Sequence, residues 1–569
     1  MASEGGLRKS AIRLALAGGV EYGLQLAMPV ILVRTLDENA FAQYRMLWLL
    51  ASTVLALAPA FMPQSLFYFL PRAQGSTEQQ AAIAAGTAQG GFGRAQVIGN
   101  ILLYLLAAAL VVALVLNQWN PALPPTVHGL MQYSHGLATL FLMLWVVASV
   151  FDVLPTAEMR TGWQANATVG MAILRTVMLA LAAWLTHDIF WVVLALLALA
   201  LLKLGLLLLY WLRFGNGAAL GADMPLFRQQ LRYALPFALG NALFLMRLQA
   251  DQWVVASLMA PALYAAFSIA TVLQPVATLL RQPVYNAMMP RLNRAWAASD
   301  LAQVRHLITH SNAATAMLLI PVAGVFWVCA PELVQLVYTR RYMATAPVMQ
   351  VYLVGMMING FAIGHVLPAL DLGRFSTLNN GVSLLLSVLL SLLGVHYLGL
   401  PGAAIGSVAT LAFSELWSAR VVAKKLETRV TLLLSWRNLW PTLLATLLAT
   451  ALVVSVQGRL LGSIASSLQH EATTAVQAGV QTAVQAGVHA SVPAGVQAGV
   501  LVTAQTGLQS GSPALSGSVA PHASHGGGYS SLVLWAVLFG KGSLFVASWL
   551  LVFLGCGGWK QVQRLRHFD

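Results

Sequence analysis

Apolar residues in this chain form runs of about 20, separated by short polar segments. A helix of that length crosses the hydrocarbon core of a bilayer. The pattern predicts an all-α polytopic membrane protein with about fourteen transmembrane helices. The predicted spans are residues 12–33, 46–70, 96–117, 137–155, 167–185, 189–212, 233–256, 262–285, 308–330, 345–368, 376–397, 401–421, 438–462 and 531–556. Thirteen is the alternative number, because only a tight turn at 186–188 separates the fifth span from the sixth.

Prolines interrupt several spans, among them Pro29 in the first and Pro236 at the start of the seventh. A proline removes one helical hydrogen bond, and broken helices in transporters lie beside the substrate. Proline is also frequent in ordinary membrane helices. Both interpretations stay open for Pro29 and Pro236.

The segment 464–530 differs from the rest of the chain. It is built from Ala, Gly, Gln, Val, Ser and Thr, and VQAGV recurs at 476–480, 484–488 and 496–500. Repeated Gly disfavours a stable helix, and low complexity disfavours a packed core. We predict a flexible extracytoplasmic loop, with a partner-binding segment as the alternative.

Composition and charge agree with the membrane prediction. The chain is 59% hydrophobic and 8% charged, whereas a soluble domain is about 25% charged. This excludes a water-soluble enzyme and a disordered chain. With a cytoplasmic N-terminus, 22 of the 31 Lys and Arg residues fall in inner segments and five in outer ones. The positive-inside rule therefore predicts two cytoplasmic termini and makes the net charge of +14 a topology signal, not a nucleic-acid footprint.

Motifs for ATP hydrolysis or covalent chemistry are missing from the sequence, which has no GxxxxGK(S/T), HExxH or GxSxG string. Its two cysteines, Cys329 and Cys556, form neither a disulfide framework nor a metal cluster. We expect no metal, no cofactor and no enzymatic activity. One enzyme alternative rests on Asp37 and Glu38, because membrane glycosyltransferases that use lipid-phosphate donors often carry acids in this first outer loop. A solvated turn is the simpler interpretation of these two carboxylates.

Ionisable side chains inside the spans are candidate functional residues, because a charge at bilayer depth costs about 2.5–3.5 kcal/mol or more. They are Glu21, Arg175, Lys203, Arg247, Asp251, Arg281 and Glu415. Arg247 and Asp251 are four residues apart and can pair on one helix face. Lys203 can extend its ammonium toward the interface. Cations outnumber acids in this set, which favours a large anionic substrate over a drug cation.

Five short motifs follow one another along the chain. They are RTLDENAFAQY at 34–44, LRYALP at 231–236, Asp251 followed by YAAFSIA at 264–270, PRL at 290–292 and GAAIG at 402–406. Their order and spacing resemble those of polysaccharide exporters in the multidrug/oligosaccharidyl-lipid/polysaccharide (MOP) superfamily. The resemblance covers about residues 10–425, and Ala42 and Leu263 depart from it where the family has Gly.

The resemblance implies two pseudo-symmetric six-helix lobes around a central cavity, plus two C-terminal helices. The predicted domains are an N-terminal lobe at 1–213, a C-terminal lobe at 214–425, helix 13 at 426–463, the low-complexity loop at 464–530, and helix 14 with a basic cytoplasmic tail at 531–569.

The implied function is the flipping or export of a lipid-linked (undecaprenyl-pyrophosphate) oligosaccharide across the bacterial inner membrane, for O-antigen, capsule or exopolysaccharide synthesis. We expect Arg175, Arg247, Lys203 and Arg281 to bind the substrate, and Glu21, Asp251 or Glu415 to couple H⁺ or Na⁺. Membrane lipids and the polysaccharide polymerase machinery are the expected partners, and nucleic acid is not. The alternatives are a multidrug cation antiporter of the same fold and a membrane lipid-linked glycosyltransferase or polymerase.

Overall fold

The structure is a computed structural model that describes residues 4–73, 92–117, 119–120, 123–215, 220–433, 439–457, 459, 531–556 and 558. All regular secondary structure in these ranges is helical. The predicted loop at 464–530 and most of the basic tail lie outside the described residues.

The N-terminal half contains nine helices in its described residues. They are α1 (Glu4–Thr35), α2 (Glu38–Leu57), α3 (Leu66–Ala73), α4 (Arg94–Val115), α5 (Pro125–Tyr133), α6 (Leu137–Ala148), α7 (Leu154–Ala157), α8 (Thr161–Thr186) and α9 (Ile189–Phe214).

The remainder of the described chain adds ten more. They are α10 (Met224–Leu258), α11 (Pro261–Ala270), α12 (Gln274–Ala297), α13 (Leu301–Tyr338), α14 (Thr345–Asn359), α15 (Gly373–Leu398), α16 (Leu400–Lys425), α17 (Val430–Leu433), α18 (Leu439–Gln457) and α19 (Ser531–Gly555).

Eleven helical stretches in the described ranges are long and apolar enough to cross a membrane. The other three predicted spans correspond to α10, α14 and α16. Helix α14 has only 15 residues, and α10 and α16 carry buried polar and charged side chains. The multi-pass, all-helical class is confirmed, and the number fourteen stays a prediction.

The same helix packing occurs in both halves of the molecule. Helix α1 packs on α8 as α10 packs on α15, and α6 packs on α9 as α14 packs on α16. The adjacent pairs α8–α9 and α15–α16 complete the correspondence. The two pseudo-symmetric lobes implied by the resemblance are therefore present.

Helix breaks also occur at corresponding places. The second crossing is interrupted between α2 and α3, where Ala60 and Phe61 have φ of 42° and 61°. The eighth crossing is interrupted by a 3₁₀ turn at Thr271–Leu273. The fourth and tenth crossings end in 3₁₀ turns, at Ser149–Asp152 and Gly364–Val366. By contrast, α1 and α10 continue through Pro29 and Pro236 without a break.

Polar contacts join the lobes on the side predicted to be extracytoplasmic. Arg45 donates from Nε to Ser268 Oγ (2.8 Å) and from Nη2 to the Ser268 carbonyl (2.6 Å). Arg34 donates to the Leu336 carbonyl (2.9 Å). Glu38 lies 3.6 Å from Arg341 in an ion pair. We call this set the outer contact; it holds the two lobes together on that side.

Candidate functional site

The predicted site residues separate into two clusters, one in each lobe. Arg247, Arg281 and Glu415 line a cavity of about 1010 Å³ in the C-terminal lobe. Glu21, Arg175 and Lys203 line a cavity of about 500 Å³ in the N-terminal lobe, together with Asp152. Asp251 is buried behind the wall of the larger cavity.

The larger cavity is bounded by α10, α12, α14, α15 and α16 and by the irregular segment that follows α14. Tyr22 of α1 also lines it, so the cavity faces the opposite lobe. Its wall is rich in polar side chains, which include Asn241, Gln274, Tyr285, Asn359, His365, Asn379 and Asn380. A polar cavity of this size within apolar helices suits a substrate with a large hydrophilic part.

The two arginines of this cavity are incompletely satisfied. Arg247 is 8% exposed, and its Nε is buried without a hydrogen-bond partner in the described structure. Arg281 Nη1 is likewise buried without a hydrogen-bond partner in the described ranges. A buried donor without a partner costs about 1–3 kcal/mol, and more when it is charged. The site therefore favours an anionic ligand that supplies the missing acceptors.

The helix-face pair suggested by the spacing of Arg247 and Asp251 is not formed. Asp251 is 1% exposed and accepts hydrogen bonds from the Tyr352 hydroxyl (2.6 Å) and the Gln252 amide (2.7 Å). Because Asp251 takes its side-chain partner from α14, the positive charge of Arg247 stays available to the cavity.

Glu415 is held by backbone and not by an arginine. One carboxylate oxygen, Oε2, accepts from the amides of Ile363 (2.7 Å) and Gly364 (3.0 Å). The carboxylate also acts electrostatically on Arg247 and Arg281. Its negative charge thus partly offsets the positive charge of the two arginines. Its lone pairs accept hydrogen bonds from the backbone at the end of the tenth crossing.

In the N-terminal cluster the charges are closer to balance. Lys203 Nζ lies 2.7 Å from Asp152 Oδ2 and 4.5 Å from the centre of the Trp145 ring. The Lys203 ammonium is 7% exposed and its partner Asp152 is 57% exposed, so the extension of Lys203 toward the interface stays a prediction. Arg175 is half-buried and its guanidinium lies 5.8 Å from the Trp48 ring centre. Glu21 lines the same cavity and is half-buried.

Sequence reasoning missed two features of the larger cavity. His365 lines it beside Arg281 and Arg247, but a lone histidine near a span end carries no distinguishing pattern. A buried polar seam joins α15 to α16 through Asn379, which donates to Ser414 Oγ (2.9 Å) and Ser418 Oγ (3.2 Å). The seam did have a signal, namely polar or small residues at every fourth position of both helices.

Asp37 and Glu38, on which the enzyme alternative rests, both have structural partners. Asp37 caps α2 by accepting from the Ala40 amide at 2.7 Å. Glu38 belongs to the outer contact through Arg341. These roles account for both acids without a reaction.

Comparisons with known proteins agree with this geometry. A family model described as "Polysaccharide biosynthesis protein" matches residues 105–347. Among solved structures, an inward-facing multidrug resistance MATE family transporter of the MOP superfamily is similar with TM-score 0.54 and 16% identity, over 74% of this chain and 99% of that one. The lipid II flippase MurJ, in an inward closed conformation, is similar with TM-score 0.58 and 12% identity, over 78% of this chain and 93% of that one.

A Vibrio cholerae MATE transporter is similar with TM-score 0.51 and 13% identity, over 75% of this chain and 97% of that one. No curated protein sequence matches the chain. At these identities the structural likeness establishes the fold. The chain is a multi-pass membrane protein with the fold of these MATE transporters and of MurJ, and the family match at 105–347 confirms the predicted resemblance at the level of polysaccharide biosynthesis proteins.

Proposed function

We propose that the protein flips or exports a lipid-linked oligosaccharide across the bacterial inner membrane, with both termini in the cytoplasm. The observation that carries this proposal is the pair Arg247 and Arg281: each has a buried guanidinium nitrogen without a hydrogen-bond partner in the described ranges, and both residues line a cavity of about 1010 Å³. A diphosphate such as that of an undecaprenyl-pyrophosphate carrier offers the acceptors that these groups lack. The polar wall would take the sugars, and the polyprenyl tail would stay in lipid.

Each charged residue then has a role in alternating access. Arg247 and Arg281 bind the diphosphate in the C-terminal lobe. In the N-terminal lobe Arg175 is the stronger candidate for an acidic group, because Lys203 is already neutralised by Asp152. Coupling to H⁺ or Na⁺ falls to Glu21, Asp251 or Glu415, since the sequence has no phosphate-binding loop for ATP.

The charge of the larger cavity separates this proposal from a multidrug cation antiporter. Two arginines face it, and its one acid from the predicted set, Glu415, is bonded to backbone amides. An organic cation would meet net positive charge there. An anionic head group is the better electrostatic match.

The proposal is tested by the leaflet in which lipid-linked intermediates accumulate. A strain lacking the protein is complemented with wild type, Arg247→Gln, Arg281→Gln or the exposed control Arg232→Gln. We expect intermediates trapped on the cytoplasmic side for both cavity variants and normal surface polymer for the control. Intermediates that reach the outer leaflet but stay unpolymerised would instead indicate a polymerase or ligase. Absence of accumulation in the deletion strain would favour drug efflux.

Arg175→Ala probes the N-terminal cluster separately. We expect loss of surface polymer at unchanged protein level, because no other described side chain neutralises a substrate anion at that point. Asp188→Ala, on the outer turn of the same lobe, is the control and should retain display. Normal display with Arg175→Ala would remove Arg175 from the substrate path.

A further inference from the structure

The tenth membrane crossing ends in an irregular segment that borders the larger cavity. After α14 the chain makes 3₁₀ turns at Gly364–Val366 and Pro368–Leu370 and then turns at Asp371, whose φ is 56°. Broken backbone at membrane depth is tolerated only where protein or a polar cavity satisfies it. The segment must therefore be held by specific partners.

Glu415 supplies that support from α16. Its Oε2 accepts from both Ile363 and Gly364, and a Cβ at position 364 would lie 3.2 Å from Oε1. The carboxylate thus approaches the backbone closely because residue 364 is glycine. Two amides on one carboxylate oxygen form a charge-assisted clamp on the break.

The N-terminal lobe has a corresponding clamp. There Lys203 of α9 binds Asp152, in the 3₁₀ turn that ends the fourth crossing. The separation in sequence is 51 residues for Lys203 and Asp152, and it is also 51 for Glu415 and Gly364. Because α9 and α16 are equivalent helices, the last helix of each lobe places a charged side chain at the corresponding break. Lys203 pairs there with the Asp152 carboxylate, and Glu415 accepts from two backbone amides. Glu415 therefore occupies a positioning site in the fold.

The residue positioned by this clamp is His365. It follows Gly364 and lines the cavity, where the charges of Arg281 and Arg247 act on its ring. Its ring meets Tyr285 edge-on at 5.9 Å between centroids. Its Nε2 is buried and has no hydrogen-bond partner within the described ranges. Arg247, Arg281 and His365 thus present three unpartnered nitrogens to one cavity.

We propose that His365 is a third donor to the anionic head group of the substrate, and that Glu415 is the positioning residue that sets its place. This inference rests on the proposed function and adds to it a phosphate-recognising group. His365 donates from Nε2 to a phosphate oxygen that the two arginines leave open. Glu415 contacts the backbone of the break and not the substrate.

Binding of a short diphosphate tests the inference on the full chain. Purified protein in phosphatidylcholine nanodiscs is titrated with farnesyl diphosphate, with farnesol as the uncharged probe and inorganic pyrophosphate as the lipid-free one. We expect His365→Leu to weaken farnesyl diphosphate binding about tenfold, the loss of one hydrogen bond to a charged group. Farnesol binding should not change. His365→Gln, which keeps a donor near Nε2, should recover most of the loss.

The Glu415 variants separate positioning from coupling. Glu415→Gln keeps an oxygen for the two amides, so diphosphate binding should stay within about threefold of wild type. Glu415→Leu should lose binding to the same degree as His365→Leu. If Glu415→Leu does not fold, Glu415→Gln and the two His365 variants still decide the question.

The outcomes distinguish this inference from the function on which it rests. Loss of diphosphate binding in Arg247→Gln but not in His365→Leu overturns the role of His365 and leaves the flippase proposal standing. Wild-type protein that binds farnesol and farnesyl diphosphate equally overturns both. Glu415→Gln that binds farnesyl diphosphate as weakly as Glu415→Leu overturns the positioning role, because an acceptor for the two amides would then not be enough.

Discussion

At the scale of single residues, the important property of each intramembrane charge is the partner that compensates it. Lys203 is 7% exposed, whereas its partner Asp152 is 57% exposed. Removing either one leaves the other unpaired, but only Asp152 can be hydrated in place. The two residues should therefore differ in how much their loss destabilises the fold.

We expect Asp152→Ala to lower the free energy of unfolding by about 2–4 kcal/mol, because it strands a buried ammonium. Lys203→Met should cost about 1 kcal/mol or less, since the exposed carboxylate keeps its water. The double variant Asp152→Ala/Lys203→Met should have a free energy of unfolding close to that of Lys203→Met alone. Thermal unfolding midpoints in one detergent give the order of stability of these variants. Equal midpoints for the two single variants would contradict the prediction. Flipping by the double variant would also show that Lys203 is not a substrate ligand.

At the scale of helices, α15 and α16 approach each other through small residues. A Cβ at Gly402 would lie 1.9 Å from the Gly394 carbonyl oxygen, and a Cβ at Gly394 would lie 2.1 Å from that of Gly402. Further along, Ser391 Oγ donates to the Ala403 carbonyl at 3.1 Å. Small residues that permit backbone contact and polar groups that bond across it are how membrane helices associate without a hydrophobic driving force.

Gly402→Val should separate this pair and destabilise the protein by about 3 kcal/mol or prevent folding, because backbone atoms cannot move aside as a side chain can. The matched control is Gly381→Ala on α15, where the nearest atom is Leu243 Cδ1 at 3.7 Å. We expect the control to stay within about 1 kcal/mol of wild type. Size-exclusion profiles and thermal midpoints report both, and a well-folded Gly402→Val would refute the packing argument.

At the scale of the whole molecule, the outer contact joins the two lobes on the side predicted to be extracytoplasmic, and the larger cavity of the C-terminal lobe faces the N-terminal lobe. Alternating access requires that such contacts break when the cavity opens outward. The contact consists of a few polar bonds and an exposed ion pair. Exposed pairs contribute about 0–1 kcal/mol each, so the Glu38–Arg341 pair adds little resistance to separation of the lobes.

Cross-linking tests this movement in a background that carries Cys329→Ser and Cys556→Ser. Cysteines at positions 38 and 341 should react together with a short bifunctional thiol reagent, and the cross-link should stop flipping until it is reduced. Cysteines at 133 and 188 form the control, because Tyr133 and Asp188 bond within one lobe at 2.8 Å. Continued flipping by the cross-linked 38–341 protein would mean that the lobes do not separate there.

Much of the architecture is predictable from the sequence, and most of the site's chemistry is not. Span positions follow from runs of apolar residues, which are local. Helices α4 and α9 begin and end within a few residues of prediction, whereas α1 begins eight residues and α8 six residues earlier than predicted. The breaks in the second and eighth crossings lie beside prolines. The end of the tenth crossing was predicted as helix to 368, yet α14 stops at Asn359, because its last turns are replaced by the Glu415 clamp.

The sequence alone determined that this is a helical membrane protein with the motifs of an exporter family, because hydropathy and motif order are properties of the chain itself. It also predicted which charges lie at bilayer depth. Only the tertiary structure decided which of those charges are compensated. Asp152 neutralises Lys203, Tyr352 takes Asp251 away from Arg247, and two amides occupy Glu415. Those partners lie 51 to 101 residues away, so only the folded packing brings them together.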